Sequence, residues 1–340
     1  MKRPWLLPLV PLYAAGLAVK RWMVRSGWLT QRRLKYPVVS VGSVSAGGAG
    51  KTPMVLLLAE LMERSGYAVR ILTRGYGRQS RTVERVEPEG DPAWFGDEPV
   101  LLAQRSHAEV FVGADRYEAG LLAGREVPAG RTIVYLLDDG YQHGELARDI
   151  DIVLLTRQDT EDVLLPAGDL REPLAALRQA DILVLREEEM AWTEDYVVKL
   201  THEGVTPLLW VIRRRLFWPG NEGERMPGRP LMFCGIARPE GFASMLEAEG
   251  CRTVGAMTYR DHHAYTEQDV AELVERARAS GADGFVTTEK DAVKLTASMR
   301  ERLETVGPVA VARLRVELVD EKAKMEEMIL LVGRMERRRH

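Results

Sequence analysis

Residues 41–52 read V-G-S-V-S-A-G-G-A-G-K-T. The stretch follows an apolar, β-branched run, P-V-V-S-V-G at 37–42, and precedes a helical pattern over 51–65 that Gly66 stops. Strand, glycine-rich loop and helix in that order build a phosphate cradle, because helix-start amides and the helix dipole both favour an anion there. The phosphate-loop pattern G-x-x-x-x-G-K-[ST] asks for glycine at 45, where Ser45 stands. Gly47, Gly48 and Gly50 still permit close backbone approach. On this reading Ser45, Ala46, Gly47, Gly48, Ala49, Gly50, Lys51 and Thr52 contact a nucleotide, Lys51 meets the β- and γ-phosphates and Thr52 reaches Mg²⁺. The rival reading is a plain glycine-rich turn.

The neighbouring sequence decides between them. Strand-like runs at 69–73, 109–112, 132–137, 151–156 and 182–185 alternate with helical patterns near 98–106 and 115–124. The continuous apolar runs among them suit a parallel sheet covered on both faces. The fold class that follows is α/β, a doubly wound sheet of the P-loop NTPase type. T-I-V-Y-L-L-D-D-G (132–140) ends such a strand on Asp138 and Asp139, where carboxylates can bind Mg²⁺ beside the loop.

Around 186–230 the alternation gives way to charged and Pro/Gly-rich sequence, read as a linker with room for a short hairpin. It resumes with a strand at 231–235, a helix at 239–249, a short strand near 252–257, a helix at 266–280 and a strand at 284–288. The resulting division is a basic amphipathic segment (1–36), a nucleotide-binding core (37–212), a linker (213–230), a smaller α/β unit (231–318) and a C-terminal helix (319–340) packing on the core.

The net charge of −3 conceals an asymmetry. Residues 1–36 hold eight basic side chains and no acid, the first being Glu60, and the remainder carries 39 basic against 50 acidic. That is no nucleic-acid footprint. W-L-L-P-L-V-P-L-Y-A-A-G-L-A-V (5–19) is shorter than the ~20 residues a spanning helix needs. A helix lying on an anionic phospholipid surface, with Trp5, Trp22 and Trp28 at headgroup level, suits it better than a cleaved signal or a buried helix. Two cysteines, Cys234 and Cys251, imply neither a disulfide framework nor a metal site.

Three further stretches carry chemistry. F-G-D-E-P (95–99) sets Asp97 at a helix start, as a plain cap or as a carboxylate aimed at an acceptor hydroxyl. D-H-H (261–263) offers imidazoles in the second unit. L-P-A-G-D-L-R-E-P (165–173) holds Arg171 and Glu172, where an arginine can stabilise a transferring phosphoryl group or form a solvated pair.

The ordered set S-V-G-S-V-S-A-G-G-A-G-K-T-P, T-R-G-Y-G, G-D-E-P, G-A-D-R, D-D-G-Y-Q-H, R-D-I-D-I-V, L-P-A-G-D-L-R-E-P, D-H-H and V-T-T-E-K-D-A-V-K-L resembles the tetraacyldisaccharide 4′-kinase family of lipid A biosynthesis. It covers residues from about 40 to 295. The resemblance implies transfer of the ATP γ-phosphate, with Mg²⁺, to the 4′-hydroxyl of an acylated glucosamine disaccharide 1-phosphate. It implies work at the cytoplasmic face of the inner membrane and a second domain that closes on the first. It makes Asp97 the catalytic base and His262 its partner. Lys51, Thr52, Asp138 and Asp139 then handle phosphates and metal, and Arg171 the developing charge. Arg74, Tyr76, Arg116, Gln142 and Glu172 become candidate substrate contacts. Ser43 stands where the family usually has asparagine, and Ser45 and Ala49 where it usually has threonine. Two other functions compete. A membrane-recruited ATPase switch would carry an early loop lysine where Ala46 stands; a soluble small-molecule kinase would leave the basic head without a purpose.

Overall fold

The structure, a computed structural model, describes residues 3–202, 206–218 and 226–339. The strands are β1 Val38–Ser43, β2 Ala68–Thr73, β3 Glu84–Arg85, β4 Glu109–Val112, β5 Ile133–Asp138 and β6 Ile150–Leu155. They continue with β7 Ile182–Arg186, β8 Leu208–Phe217, β9 Leu231–Cys234, β10 Gly255–Thr258, β11 Phe285–Thr288 and β12 Val309–Leu318. The helices of the first half are α1 Val10–Arg25, α2 Lys51–Arg64, α3 Pro92–Phe95, α4 Asp97–Arg105, α5 Arg116–Ala123 and α6 Arg157–Glu161. Those of the second half are α7 Met190–His202, α8 Pro239–Ala248, α9 Glu267–Ser280, α10 Glu289–Ala292, α11 Ala297–Glu304 and α12 Glu321–Arg337.

All strands join one sheet in the order β10-β9-β11-β12-β8-β7-β6-β1-β5-β2-β4-β3. From β8 to β4 the pairing is parallel, and β1, β2 and β5 are buried at every residue. Helices cover both faces, which is why these strands read as unbroken apolar runs. The chain leaves β1 toward β2 on one side and later passes from β5 to β6 on the other. The carboxyl ends of β1 and β5 therefore flank the point where the winding reverses, the place for a ligand in such sheets. Val41 lies opposite Asp138 there. Gly42 is required because a Cβ on it would lie 2.5 Å from that of Tyr141.

The join between the units differs from the expected linker. β8 runs through residues 208–217 and pairs antiparallel with β12, so two ten-residue strands weld both parallel stretches into one sheet. The arginines that gave this segment a linker's composition are neutralised locally. Arg213 pairs with Glu187 (2.7 Å and 2.5 Å), and Arg214 with Glu188 (2.6 Å). Of the expected linker and hairpin, 219–225 lies outside the described residues.

The C-terminal helix α12 buries Met325, Met328 and Val332 in the same cluster as α2 and β1, on the core unit. The Trp210 indole, fully buried on β8, donates to Glu327 at 2.8 Å. Trp210→Ala is expected to cost about 3–5 kcal/mol, read as a lower urea midpoint with the slope unchanged.

At the other end, a 3₁₀ turn over Pro4–Leu9, with Pro8 inside it, leads into α1. Trp5, Leu12 and Trp28 remain about three-quarters exposed, at 73%, 72% and 74%, and no described α1 side chain is fully buried. No helix among the described residues is long and apolar enough to cross a membrane.

Candidate active site

The 41–52 loop forms as its glycines predict. Gly47, Gly48 and Gly50 have φ of +71°, +69° and +95°, the left-handed region in which side chains are strained. Their bareness also admits the second unit. A Cβ on Gly47 would lie 2.9 Å from that of Ala237, and one on Gly48 would strike the Arg238 side chain. Arg238 is held there by Thr156 (3.3 Å) and Asp159 (3.5 Å). Beneath the loop, Arg186 at the end of β7 donates to the carbonyls of Gly48 (2.9 Å) and Ala49 (3.1 Å), neutralising two acceptors that would repel a phosphate.

Ala46 to Thr52 line a cleft of about 1130 Å³ between the units, with Asp138, Asp139, Arg171 and His262 on its walls. Ser45 departs from expectation. It is tucked under the loop and outside the lining, its backbone bridged to Leu170 and its carbonyl accepting from Ser43 Oγ (2.9 Å) and Arg171 Nε (3.2 Å). Its place is structural support, and this is where a non-glycine residue fits.

The two aspartates at the end of β5 differ. Asp139 accepts a bidentate pair from Arg171 (2.8 Å and 2.6 Å) and lies 3.3 Å from Lys51. Burial alone would raise its carboxyl, but Lys51 and Arg171 hold it far below the usual range. Asp138 is buried and accepts from Thr73 at 3.1 Å. Burial, with the negative Glu98 and Asp139, pushes its carboxyl up to about 7 against the pull of Lys51. Unbalanced negative charge lining the same cleft as the helix-start Thr52 hydroxyl fits a hard divalent cation. Asp138 and Thr52 are therefore the better-fitting ligand pair, while Asp139 is already engaged by two cations.

Across the cleft, His262 Nδ1 lies 3.0 Å and 3.2 Å from the two Asp97 oxygens. Asp97 opens α4 after Gly96, and His262 sits at φ +59° in the turn after β10. Asp97 lies behind the cleft lining, 11% exposed. Burial raises its carboxyl, but the hydrogen bond and charge of His262, with Lys290 and Lys294, outweigh this and lower it. The same hydrogen bond raises the imidazole pKa, against burial and Lys290.

Arg74, Tyr76, Arg116 and Gln142 also line the cleft. The Tyr76 ring is 5.4 Å from that of His262, and Gln142 donates to the Ser43 carbonyl at 2.8 Å. Burial and neighbouring Arg74 lower Arg116 to about 10, although Asp138 and Asp139 pull the other way. Glu172 lies elsewhere: it pairs with Arg21 of α1, so the proposed substrate contact is an anchor of the amino-terminal helix. Tyr13 OH to the Arg171 carbonyl (3.1 Å) and Lys20 to the Gln142 carbonyl (3.1 Å) complete that docking.

Sequence reasoning missed Lys290, which bonds Glu98 at 2.9 Å and stands 3.3 Å from His262 Nε2, and Lys294, 3.8 Å from Asp97. The available signal was the K-D-A-V-K spacing, which sets two lysines four residues apart just past a strand end.

A polyphosphate cradle beside a carboxylate–imidazole pair, the carboxylate from the cradle's own unit and the imidazole from the second, defines a P-loop phosphotransferase. The comparisons narrow the class. Residues 2–333 match the family model for Tetraacyldisaccharide-1-P 4′-kinase, and the chain belongs to that family. It is 41% identical over 335 residues to the tetraacyldisaccharide 4′-kinase of Koribacter versatilis, covering 96% of this chain and 98% of that protein. To the Geobacter metallireducens kinase it is 36% identical, covering 91% and 92%. The crystal structure of LpxK from Aquifex aeolicus in complex with ATP superposes with a TM-score of 0.74 at 30% identity, covering 96% of this chain and 98% of that one.

Proposed function

We propose that this kinase moves the γ-phosphate of ATP to the 4′-hydroxyl of a tetraacylated glucosamine disaccharide 1-phosphate, with Asp97 as the base. The observation that carries the assignment is the His262–Asp97 contact across the cleft that also holds Lys51. The loop amides and Lys51 receive the β- and γ-phosphates, and Arg171, fixed by Asp139, faces the charge spreading over the transferring group. Asp97 orients the acceptor hydroxyl and takes its proton; Oδ1 also accepts from the Glu98 amide at 3.0 Å, so Oδ2 is the oxygen that keeps a lone pair beyond the one facing His262. A Mg²⁺ ion on Thr52 and Asp138 would neutralise phosphate charge. Incubation with ATP, Mg²⁺ and the disaccharide 1-phosphate in detergent should give a bis-phosphorylated lipid; no such product would sink the assignment.

The lipid is reached from the cytoplasmic face of the inner membrane. The exposed Trp5, Leu12, Trp22 and Trp28 support this, as do Lys20 and Val24 of α1, which line the cleft itself. Replacing those four exposed residues by serine should release the protein from anionic vesicles, while the Tyr13 and Arg21 contacts keep the helix docked. Sedimentation with vesicles checks this, and an intact chain that stays in the supernatant rules the anchor out.

A further inference from the structure

Lys290 lies in the V-T-T-E-K-D-A-V-K-L stretch with no role of its own assigned there, yet it is the hub of the interface between the units. Its ammonium donates to Glu98 Oε1 on α4 at 2.9 Å, lies 3.5 Å from Asp261 Oδ1, and stands 3.3 Å from His262 Nε2. Lysine has donors only, so a hydrogen bond at that distance requires a lone pair on Nε2. The ring's single proton then sits on Nδ1, facing Asp97 at 3.0 Å. An imidazolium would set an Nε2–H donor against the ammonium, which the cleft geometry disfavours.

We propose that Lys290 is a positioning residue: its hydrogen bond to Nε2 holds His262 as the neutral ring that donates from Nδ1 to Asp97 and leaves that carboxylate anionic. The groups facing the ring are Asp97 and Glu98 from α4, Asp261 from its own turn, Lys290 from α10 and Tyr76 from the segment after β2. Asp97 draws a second proton toward the ring, and Lys290 opposes it. Burial works against the Lys290 charge, but Glu98, Asp261 and Asp97 outweigh it, so the lysine stays a cation whenever the ring titrates. Without that cation the ring binds its second proton at higher pH. The resulting imidazolium would compete for the Asp97 charge and weaken the base.

The inference rests on Asp97 being the base, but its first test does not. In ¹⁵N-histidine-labelled protein, with His262 assigned by loss of its signals in His262→Gln, the wild-type ring should be protonated at Nδ1 alone on the alkaline side of its titration. Lys290→Met keeps the stem and removes the charge. It should raise the ring's titration by about one pH unit, the low end for a charge within ~4–6 Å. The acid limb of the kcat/KM profile should move up with it, about tenfold in rate on that limb. Lys290→Arg should restore both. Arg105→Ala is the comparator, because it cuts the Arg105–Glu289 pair, which also bridges the units, without touching the ring. A lysine that merely holds the units together would make both variants raise KM with unchanged pH profiles, overturning the proposal. An Nε2–H tautomer in the wild type, or an unmoved ring titration in Lys290→Met, would also overturn it. The base assignment itself stands or falls on Asp97→Asn turnover, read separately.

Discussion

Asp97→Asn should lower turnover by about 10³-fold, within the 10²–10⁴ contributed by a positioned general base, while ATP affinity stays close to wild type. The amide keeps the side chain's shape and its oxygen can still accept from His262, so the contact at 3.0 Å survives. What is lost is the anion that takes the acceptor proton. The bland alternative is that Asp97 only serves the start of α4, where its Oδ1 accepts from the Glu98 amide at 3.0 Å. A capping role predicts nearly unchanged stability, since asparagine serves a helix start about as well as aspartate, and normal kinetics. Calorimetric ATP titration beside steady-state rates separates the two, and retained turnover removes Asp97 from the base role. Asparagine is a better probe than alanine here, since Lys294 and His262 would otherwise face an empty space.

The sequence made the first unit legible because its strands are buried on both faces. V-V-S-V-G-S and I-V-Y-L-L-D carry no ambiguity of period, and their ends met expectation within a residue. β8 and β12 were missed for the opposite reason. Both are partly exposed, and β8 ends in R-R-R-L-F, whose charges are balanced by Glu187 and Glu188 some 26 residues earlier. No local window contains both halves of that pairing. The site shows the same division. The loop and the β5 aspartates are contiguous in sequence, so their chemistry was visible. Asp97 and His262, 165 residues apart, were paired only through the family resemblance, and Lys290 was not singled out at all. Glu172 was misread because its partner, Arg21, comes from a helix whose docking site the sequence did not reveal. Ser45 was legible as an anomaly but not as a buried prop, which needed the bridge to Leu170.

Lys51→Ala should reduce kcat by about 10²–10³-fold, the usual cost of deleting one preorganised charge at a developing anion. The structure supplies the reason the fold should tolerate it. Lys51 reaches Ser43 Oγ at 3.4 Å and Asp139 at 3.3 Å, and removing it would orphan a partly buried carboxylate were Lys51 its only partner. Arg171 keeps Asp139 paired through two bonds, and Ser43 still donates to the Ser45 carbonyl. The melting temperature should therefore fall by no more than a few degrees, as for a loss of about 1 kcal/mol. Arg171→Ala makes the contrast. It removes the bidentate pair and the bond to the Ser45 carbonyl together, so rate and melting temperature should both drop. Kinetics paired with calorimetric melting on the two variants tests the division of labour. A Lys51→Ala enzyme with wild-type rates would take the lysine out of phosphoryl transfer. One that melts as early as Arg171→Ala would make Lys51 a structural counter-ion to Asp139, its lost activity a consequence of a collapsed loop.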